Sequence, residues 1–163
     1  MRSISIKTSE ALDRQAARGL IYSSKREIHG GFETLEYNII LAHGLSTQFE
    51  RFVTIKELMH CYFEPNDGNV KYLTATEIAL EKHMQVFFGN STAESAPSRA
   101  ETMALWMAVG VLCTEHDRKA MVADVKEQKL TADGIASQMC IPLKQAKNLI
   151  SEVYDREIAK LIQ

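Results

Sequence analysis

Residues 56–60 carry the strongest chemical signal in the chain, because they read Lys-Glu-Leu-Met-His. A zinc-peptidase helix reads His-Glu-x-x-His there: its two histidines face one way and bind the metal, and the glutamate activates a zinc-bound water. Here Lys56 stands at the first histidine position, while Glu57 and His60 keep the other two. An ammonium group has three donors and no lone pair, so Lys56 repels a metal ion and does not ligate it. The segment therefore predicts a degenerate site.

Glu57 and His60 also have a simpler structural interpretation. They are three residues apart, so a side-chain hydrogen bond on the polar face of a helix would account for both. A catalytic zinc has three protein ligands and a water, so a working site would need a further donor beside them. The chain offers Cys61, His29, His43, His83 and His116. Cys61 points about 100° away from His60 on a helix, and spacing singles out none of the other histidines.

The first third of the chain predicts a helix followed by a small sheet. Apolar residues near helical spacing indicate a helix over residues 9–21. Residues 35–39 alternate between apolar and polar, which favours a half-buried strand that ends at Gly44. A helix over residues 33–43 stays an alternative, because three apolar residues follow one another there.

The rest of the chain predicts helices, so the expected fold class is α+β and predominantly helical. Capping boxes at Thr74 and Ser98, a capping threonine at Thr131 and a helix-starting proline mark the boundaries. The predicted helices cover about 48–63, Thr74–Phe88, a segment from Ser98 to Leu112, 117–129, Thr131–Met139 and a last one begun by Pro142. Tyr62 falls in the apolar stripe of the first, and Trp106 is expected in the core. The charged run 115–119 is expected to be a solvated helix end.

The composition is that of an ordinary globular domain: 163 residues, 45% hydrophobic, 25% charged, with a formal net charge of −2. So weak a charge gives no general attraction to nucleic acid or anionic lipid. No apolar run approaches the ~20 residues of a membrane helix, and the N-terminus lacks the features of a signal peptide. The three widely spaced cysteines indicate reduced thiols. We therefore expect a cytoplasmic protein that does not associate with membranes.

Two segments resemble the ImmA/IrrE metallopeptidase family. Residues 51–60, Arg-Phe-Val-Thr-Ile-Lys-Glu-Leu-Met-His, resemble that family's R-F-T-x-A-H-E-L-G-H segment. Residues 101–112, which begin at Glu101, resemble its E-x-x-A-x-x-F-A-x-x-L-L helix, with Met107 at the usual phenylalanine position. A weaker likeness lies in residues 130–142, and together the resemblance covers about residues 50–155.

The resemblance implies a zincin-like metallopeptidase core with a small N-terminal sheet and a C-terminal helical pair. It implies one domain over 1–163: an N-terminal region to about 50, metallopeptidase-like helices over 51–128 and a helix-turn-helix-like pair over 129–163. Glu57 falls at the general-base position, His60 and Glu101 fall at metal-ligand positions, and Lys56 replaces the remaining ligand. The family includes cytoplasmic proteases that cut helix-turn-helix repressors in phages, mobile elements and stress responses.

The exchange at Lys56 leads to a functional expectation. We expect an inactive homologue, a pseudo-enzyme, that holds no cofactor and binds a protein partner, such as a helix-turn-helix transcriptional regulator, through the old substrate cleft. The ammonium of Lys56 would pair with Glu101 near the vacated metal position. One alternative is a working zinc peptidase with an altered ligand set that cuts a repressor-type protein. In both readings a homo-oligomer stays open.

A second alternative is a small DNA-binding regulator that uses residues 131–155. Residue types that contact phosphates and bases stand early in the second helix of the pair. They are Lys144, Gln145, Lys147 and Asn148. The segment 126–163 nets only +1, from six Lys and Arg against five acids, which is a weak electrostatic footprint for nucleic acid. We therefore expect a protein partner in preference to DNA.

Overall fold

The computed structural model describes residues 2–15, 17–28, 32–62 and 96–162. Three sequence predictions lie outside the described residues: the helix over Thr74–Phe88 and the candidate donors His29 and His83. The described residues form an α+β fold of three strands and six helices.

A three-stranded sheet occupies the N-terminal third. Its strands are β1 (Arg2–Ser9), β2 (Gly19–Ile28) and β3 (Phe32–Ala42). The central strand β3 pairs in parallel with β1 and antiparallel with β2. The predicted strand is confirmed within β3, which ends two residues before Gly44, where the backbone has a φ of +75°. One face of β3 is buried, through Tyr37, Ile39 and Leu41.

The helix predicted over residues 9–21 is wrong. Ser9 ends β1, and β2 already begins at Gly19, with turns and irregular backbone among the described residues between them. Ile21 lies opposite Ile39 of β3 and is 1% exposed. Its burial comes from sheet pairing with a residue far along the chain, and such tertiary packing overrides local helical spacing. The helix alternative for residues 33–43 is wrong for the same reason, since β3 pairs along its whole length.

Six helices follow the sheet among the described residues. They are α1 (Thr47–His60), α2 (Ala96–Leu112), α3 (Glu115–Lys126), α4 (Ala132–Met139), α5 (Leu143–Leu149) and α6 (Glu152–Ile162). Side chains of Ser46, Thr114 and Thr131 accept hydrogen bonds from the first turns of α1, α3 and α4, which satisfies otherwise unpaired helix N–H groups. The prediction that Thr131 begins a helix ending at Met139 is confirmed.

Other predicted boundaries need correction. The helix α2 begins at Ala96, so Ser98 lies inside its first turn and is not its N-terminal cap. The helix α1 ends at His60, and Tyr62 beyond it is 76% exposed, so Tyr62 does not belong to the apolar stripe. The segment after Pro142 is not one helix, because α5 ends at Leu149 and α6 follows it.

The core of the described residues extends from the sheet through α1 and α2 to the C-terminal helices. The helix α1 packs on β2, β3 and α2, and α2 in turn packs on α5 and α6. Ala104 and Ala108 are fully buried, so their small side chains allow close helix packing, and the prediction that Trp106 lies in the core is confirmed. No helix in the described ranges is long and apolar enough to cross a membrane.

The charged run at residues 115–119 is solvated except at one residue. Glu115, Asp117 and Lys119 are exposed, but Arg118 is only 5% exposed. Its guanidinium lies 4.3 Å from the centre of the Tyr154 ring and donates to Glu115, to Asp155 and to a backbone carbonyl. The expectation of a wholly solvated helix end was therefore wrong at Arg118, which joins α3 to α6.

Candidate functional site

The candidate site lies where α1 crosses α2. Helical periodicity places Lys56 and His60, four residues apart, on one face of α1. Glu57 lies one residue further round and is also buried, at 2% exposure. The helix α2 supplies Glu101 from its second turn. The structure thus brings together all four residues that the sequence assigned to the degenerate site.

Glu101 contacts both α1 residues on the shared face. Lys56 Nζ donates to Glu101 Oε2 over 2.7 Å, as the sequence hypothesis of a Lys56–Glu101 pair expected. The other carboxylate oxygen, Oε1, lies 3.0 Å from His60 Nε2. His60 is fully buried, whereas the side chains of Lys56 and Glu101 are 19% and 12% exposed. One carboxylate therefore joins the two helices through two contacts.

Glu57 of α1 is the fourth member of the cluster. Its Oε1 lies 2.8 Å from Lys56 Nζ, and its Oε2 lies 4.0 Å from His60 Nε2. The ammonium of Lys56 is thus held between two carboxylates, one from each helix. Because Glu57 is 2% exposed, its negative charge has little access to water and depends on Lys56 for compensation.

The start of strand β2 presses against this cluster. A Cβ atom on Gly19 would overlap the Val53 side chain and lie 3.0 Å from Glu57 Oε1. Gly19 therefore allows the strand to approach α1 more closely than any other residue type would. Sequence reasoning missed Gly19, because it placed that residue in a helix.

The charges within the cluster shift the pKa values of Lys56 and Glu101. Burial disfavours the charged form of Lys56, but the carboxylates of Glu57 and Glu101 outweigh burial and raise its pKa. Burial likewise opposes the charged form of Glu101, but hydrogen bonding from His60 and the charge of Lys56 outweigh it and lower its pKa. Both groups are therefore held in their charged forms, and Lys56 is a fixed cation, which is unsuited to act as a base.

The donor set does not fit a zinc ion. The ammonium of Lys56 lies within 2.8 Å of both carboxylates. It has no lone pair and carries the same sign of charge as the ion. Only His60 and Glu101 remain as ligands from the resemblance, one fewer than a catalytic zinc takes from protein.

The other candidate donors that the structure describes do not complete a ligand set. Cys61 is the C-terminal cap residue of α1, and His43 and His116 are exposed. Within the ranges that the structure describes, no group of three or more His, Cys, Asp or Glu side chains is arranged to hold a metal ion.

The residues proposed for nucleic-acid contact lie on α5. Lys144 and Lys147 are exposed, whereas Gln145 is 7% exposed and accepts a hydrogen bond from the side chain of Asn148. The turn before α5 contains Cys140 in the left-handed conformation, with φ 51° and ψ 53°. The pair α4–α5 thus has a sharp turn and a surface with two exposed cations.

Comparisons with known proteins found no match to a family model, to a curated protein or to a solved structure. The ImmA/IrrE resemblance accordingly rests on the residues of α1 and α2 quoted above.

Proposed function

We propose that this protein is a metal-free member of the ImmA/IrrE-like class whose zincin-like cleft binds a protein partner instead of cutting it. The observation that carries the proposal is the position of Lys56 Nζ, 2.7 Å from Glu101 and 2.8 Å from Glu57. In the proposed function this ammonium ion takes the place of the Lewis acid that peptidase chemistry needs.

The state of Glu57 supports the loss of peptidase activity. A general base must reach a water or substrate proton within about 2.6–3.2 Å. Glu57 is 2% exposed and one of its oxygens is paired with Lys56, so it lacks the access to water and substrate that this role needs. The buried charges instead link α1 and α2, while the side chains of Lys56 and Glu101 stay partly accessible, at 19% and 12% exposure.

The sheet supports the proposed mode of partner binding. Among the described strands, β2 lies at an edge of the sheet and pairs with β3. The strand β2 starts at Gly19, which lies against Glu57. A segment of a partner that extends along the start of β2 would therefore pass the cluster of Lys56, Glu57, His60 and Glu101. Adding an extended peptide to a sheet edge gains main-chain hydrogen bonds without any catalysis.

The partner class follows from the resemblance. Relatives in this family act on helix-turn-helix repressors, and a protein that keeps the cleft without the metal can hold such a regulator uncut. The partner we propose is accordingly a transcriptional regulator of the helix-turn-helix class.

A site-specific photo-crosslinking experiment tests this proposal. A benzophenone amino acid replaces Tyr22, which is 42% exposed on β2, in cells that contain the candidate regulators. The matched control places it at Ile4, which is 52% exposed on β1 at the opposite edge of the described sheet. A strand added beside β2 would lie within about 5.5 Å of Tyr22, so we expect an adduct with an intact regulator from position 22 and none from position 4.

Other outcomes of the crosslinking, and measurements on the purified protein, distinguish the alternatives. Equal adducts at Tyr22 and Ile4, or a regulator recovered as cleaved fragments, would refute partner holding at the cleft. Near-stoichiometric zinc that is lost in a His60→Ala variant would favour the zinc peptidase. A mobility shift on duplex DNA that weakens steeply with salt and is lost in Lys144→Ala would favour the DNA-binding regulator.

A further inference from the structure

We infer that the Lys56 ammonium is a built-in cation that replaces a metal ion as the link between α1 and α2 and keeps divalent cations out of the cluster. The inference concerns the stability and ion selectivity of this helix junction. It is independent of whether the protein binds a partner.

The contacts of Lys56 support the linking role. The ammonium reaches one carboxylate on each helix, Glu57 at 2.8 Å and Glu101 at 2.7 Å. Glu101 in turn reaches His60 at 3.0 Å, so the contacts close a loop between the two helices. A metal ion bound by residues of both helices would make the same kind of cross-connection, with positive charge at its centre.

The charge balance supports the exclusion of other cations. With Lys56 charged, one cation faces the two carboxylates of Glu57 and Glu101. Without Lys56, two carboxylates and a buried imidazole would share one small space without the charge of the ammonium, and carboxylate and imidazole are ligands that zinc accepts. Removing the ammonium should therefore both weaken the junction and open it to a divalent cation.

The burial of the cluster sets the size of the effect. Ion pairs on an open surface contribute little, because water and salt screen them. Glu57 and His60 are almost completely buried, and the side chains of Lys56 and Glu101 are 19% and 12% exposed. Loss of the cation thus leaves buried negative charge without compensation, which is the costly case.

Thermal unfolding of the full chain tests the inference. The variant Lys56→Met keeps an unbranched side chain, one atom shorter than lysine, and removes its charge. Lys119→Met is the matched control, because Lys119 is 72% exposed. Each protein is melted in EDTA and in excess zinc chloride. We expect Lys56→Met to melt lower than the wild type by on the order of 10 °C in EDTA. We expect Lys119→Met to stay within about 2 °C of the wild type.

Zinc distinguishes ion exclusion from ordinary packing. Zinc should raise the Tm of Lys56→Met by several degrees, and of Lys56→His by more, while leaving the wild type unchanged. If Lys56→Met does not fold alone, the variant Lys56→Met/Glu101→Gln removes one of the two negative charges and should recover a folded protein.

Three results would overturn the inference. The first is a Lys56→Met variant that melts within about 2 °C of the wild type in EDTA. The second is a wild-type protein that zinc stabilises as much as it stabilises Lys56→Met. The third is a double variant that is no more stable than Lys56→Met, which would show that the loss is one of packing and not of charge.

Discussion

Glu101 Oε1 lies 3.0 Å from His60 Nε2, while Oε2 of the same carboxylate lies 2.7 Å from Lys56 Nζ. One side chain of α2 thus holds two residues of α1 that stand four positions apart. Because each oxygen already has a partner on α1, the carboxylate is fixed in orientation and serves as the electrostatic centre of the junction.

The first prediction concerns the pH dependence of stability. Hydrogen bonding from His60 and the charge of Lys56 lower the pKa of Glu101 against the opposing effect of burial, so the unfolded chain binds its proton more readily than the folded chain does. Stability from Glu101 is therefore present above its unfolded pKa of roughly 4.3 and is lost as the pH falls further. For Lys56 the pKa is raised, so its contribution is present below roughly pH 10.4 and is lost as the pH rises above that.

Urea unfolding of the wild type and Glu101→Gln between pH 3 and 7 measures this contribution. At pH 7 we expect the variant to lose about 3 kcal/mol, the low end for breaking a buried ion pair. The difference should narrow below roughly pH 4.3, because protonation removes the same charge from the wild type. A difference that stays constant down to pH 3 would contradict the ionic role of Glu101.

The second prediction concerns the close approach of β2 to α1. In Gly19→Ala the new methyl group would overlap Val53 and crowd Glu57. We expect the free energy of unfolding to fall by about 1–3 kcal/mol, as in other overpacked cores. The double variant Gly19→Ala/Val53→Ala should lose less than the sum of its single changes, because it removes the overlapping atoms.

The matched control is another glycine. At Gly110, inside α2, a Cβ atom would meet Ile158 at 3.5 Å and the Tyr154 hydroxyl at 3.7 Å, which are ordinary contacts. Alanine favours a helix interior over glycine by roughly 0.5–1 kcal/mol, so Gly110→Ala should be neutral or stabilising in the same urea titration. Equal destabilisation at both glycines would argue against a specific clash at Gly19.

The α1 part of the site was accessible from sequence because its geometry is local. Lys56, Glu57 and His60 lie within five residues, so helical periodicity alone places them on adjoining faces of α1. Glu101 was found through a second segment with its own pattern. Gly19 was missed because its contact with Glu57 joins a strand and a helix far apart in the chain, and no local pattern reports such a contact.

The N-terminal third shows the same limit of local sequence patterns in predicting the fold. In β3, alternation over residues 35–39 is a local signal, and the strand was predicted from it. Ile4 and Ile6 also alternate with polar residues, but they remain about half exposed on β1, at an edge of the described sheet. For residues 9–21 the decisive fact is pairing with β3, including Ile21 opposite Ile39. Strand pairing over such separations depends on the whole fold and overrides weak local preference.

The third prediction concerns Arg118, which joins α3 to α6. Its ion-pair partners Glu115 and Asp155 are 50% and 67% exposed, so solvent screens those pairs and each contributes less than about 1 kcal/mol. The guanidinium itself is buried, stacks on the Tyr154 ring and donates to the Leu149 carbonyl. We expect Arg118→Ala to lower the free energy of unfolding by about 2 kcal/mol, mainly through lost packing.

Two variants test this division of the energy by urea unfolding. Asp155→Asn should cost less than about 1 kcal/mol, because it removes only a screened ion pair. Lys119→Ala, which removes the 72% exposed lysine next to Arg118, should change stability by less than about 0.5 kcal/mol. If Asp155→Asn were as damaging as Arg118→Ala, the energy would lie in the ion pair and the packing argument would be wrong.

The last prediction concerns the turn between α4 and α5. Cys140 ends α4 with φ 51° and ψ 53°, and the N–H of Ile141 donates to the carbonyl of Ala136 over 3.0 Å. This helix-ending arrangement needs a residue in the left-handed conformation. Glycine adopts that conformation without the penalty of roughly 1 kcal/mol that a Cβ atom brings. Cys140→Gly should therefore stabilise the protein by about 0.5–1 kcal/mol in thermal unfolding. Cys61, which caps α1 with φ −61°, is the control: Cys61→Gly relieves no strain and should be neutral or destabilising. A loss at both positions would mean that the Cys140 side chain contributes more by packing than its backbone conformation costs.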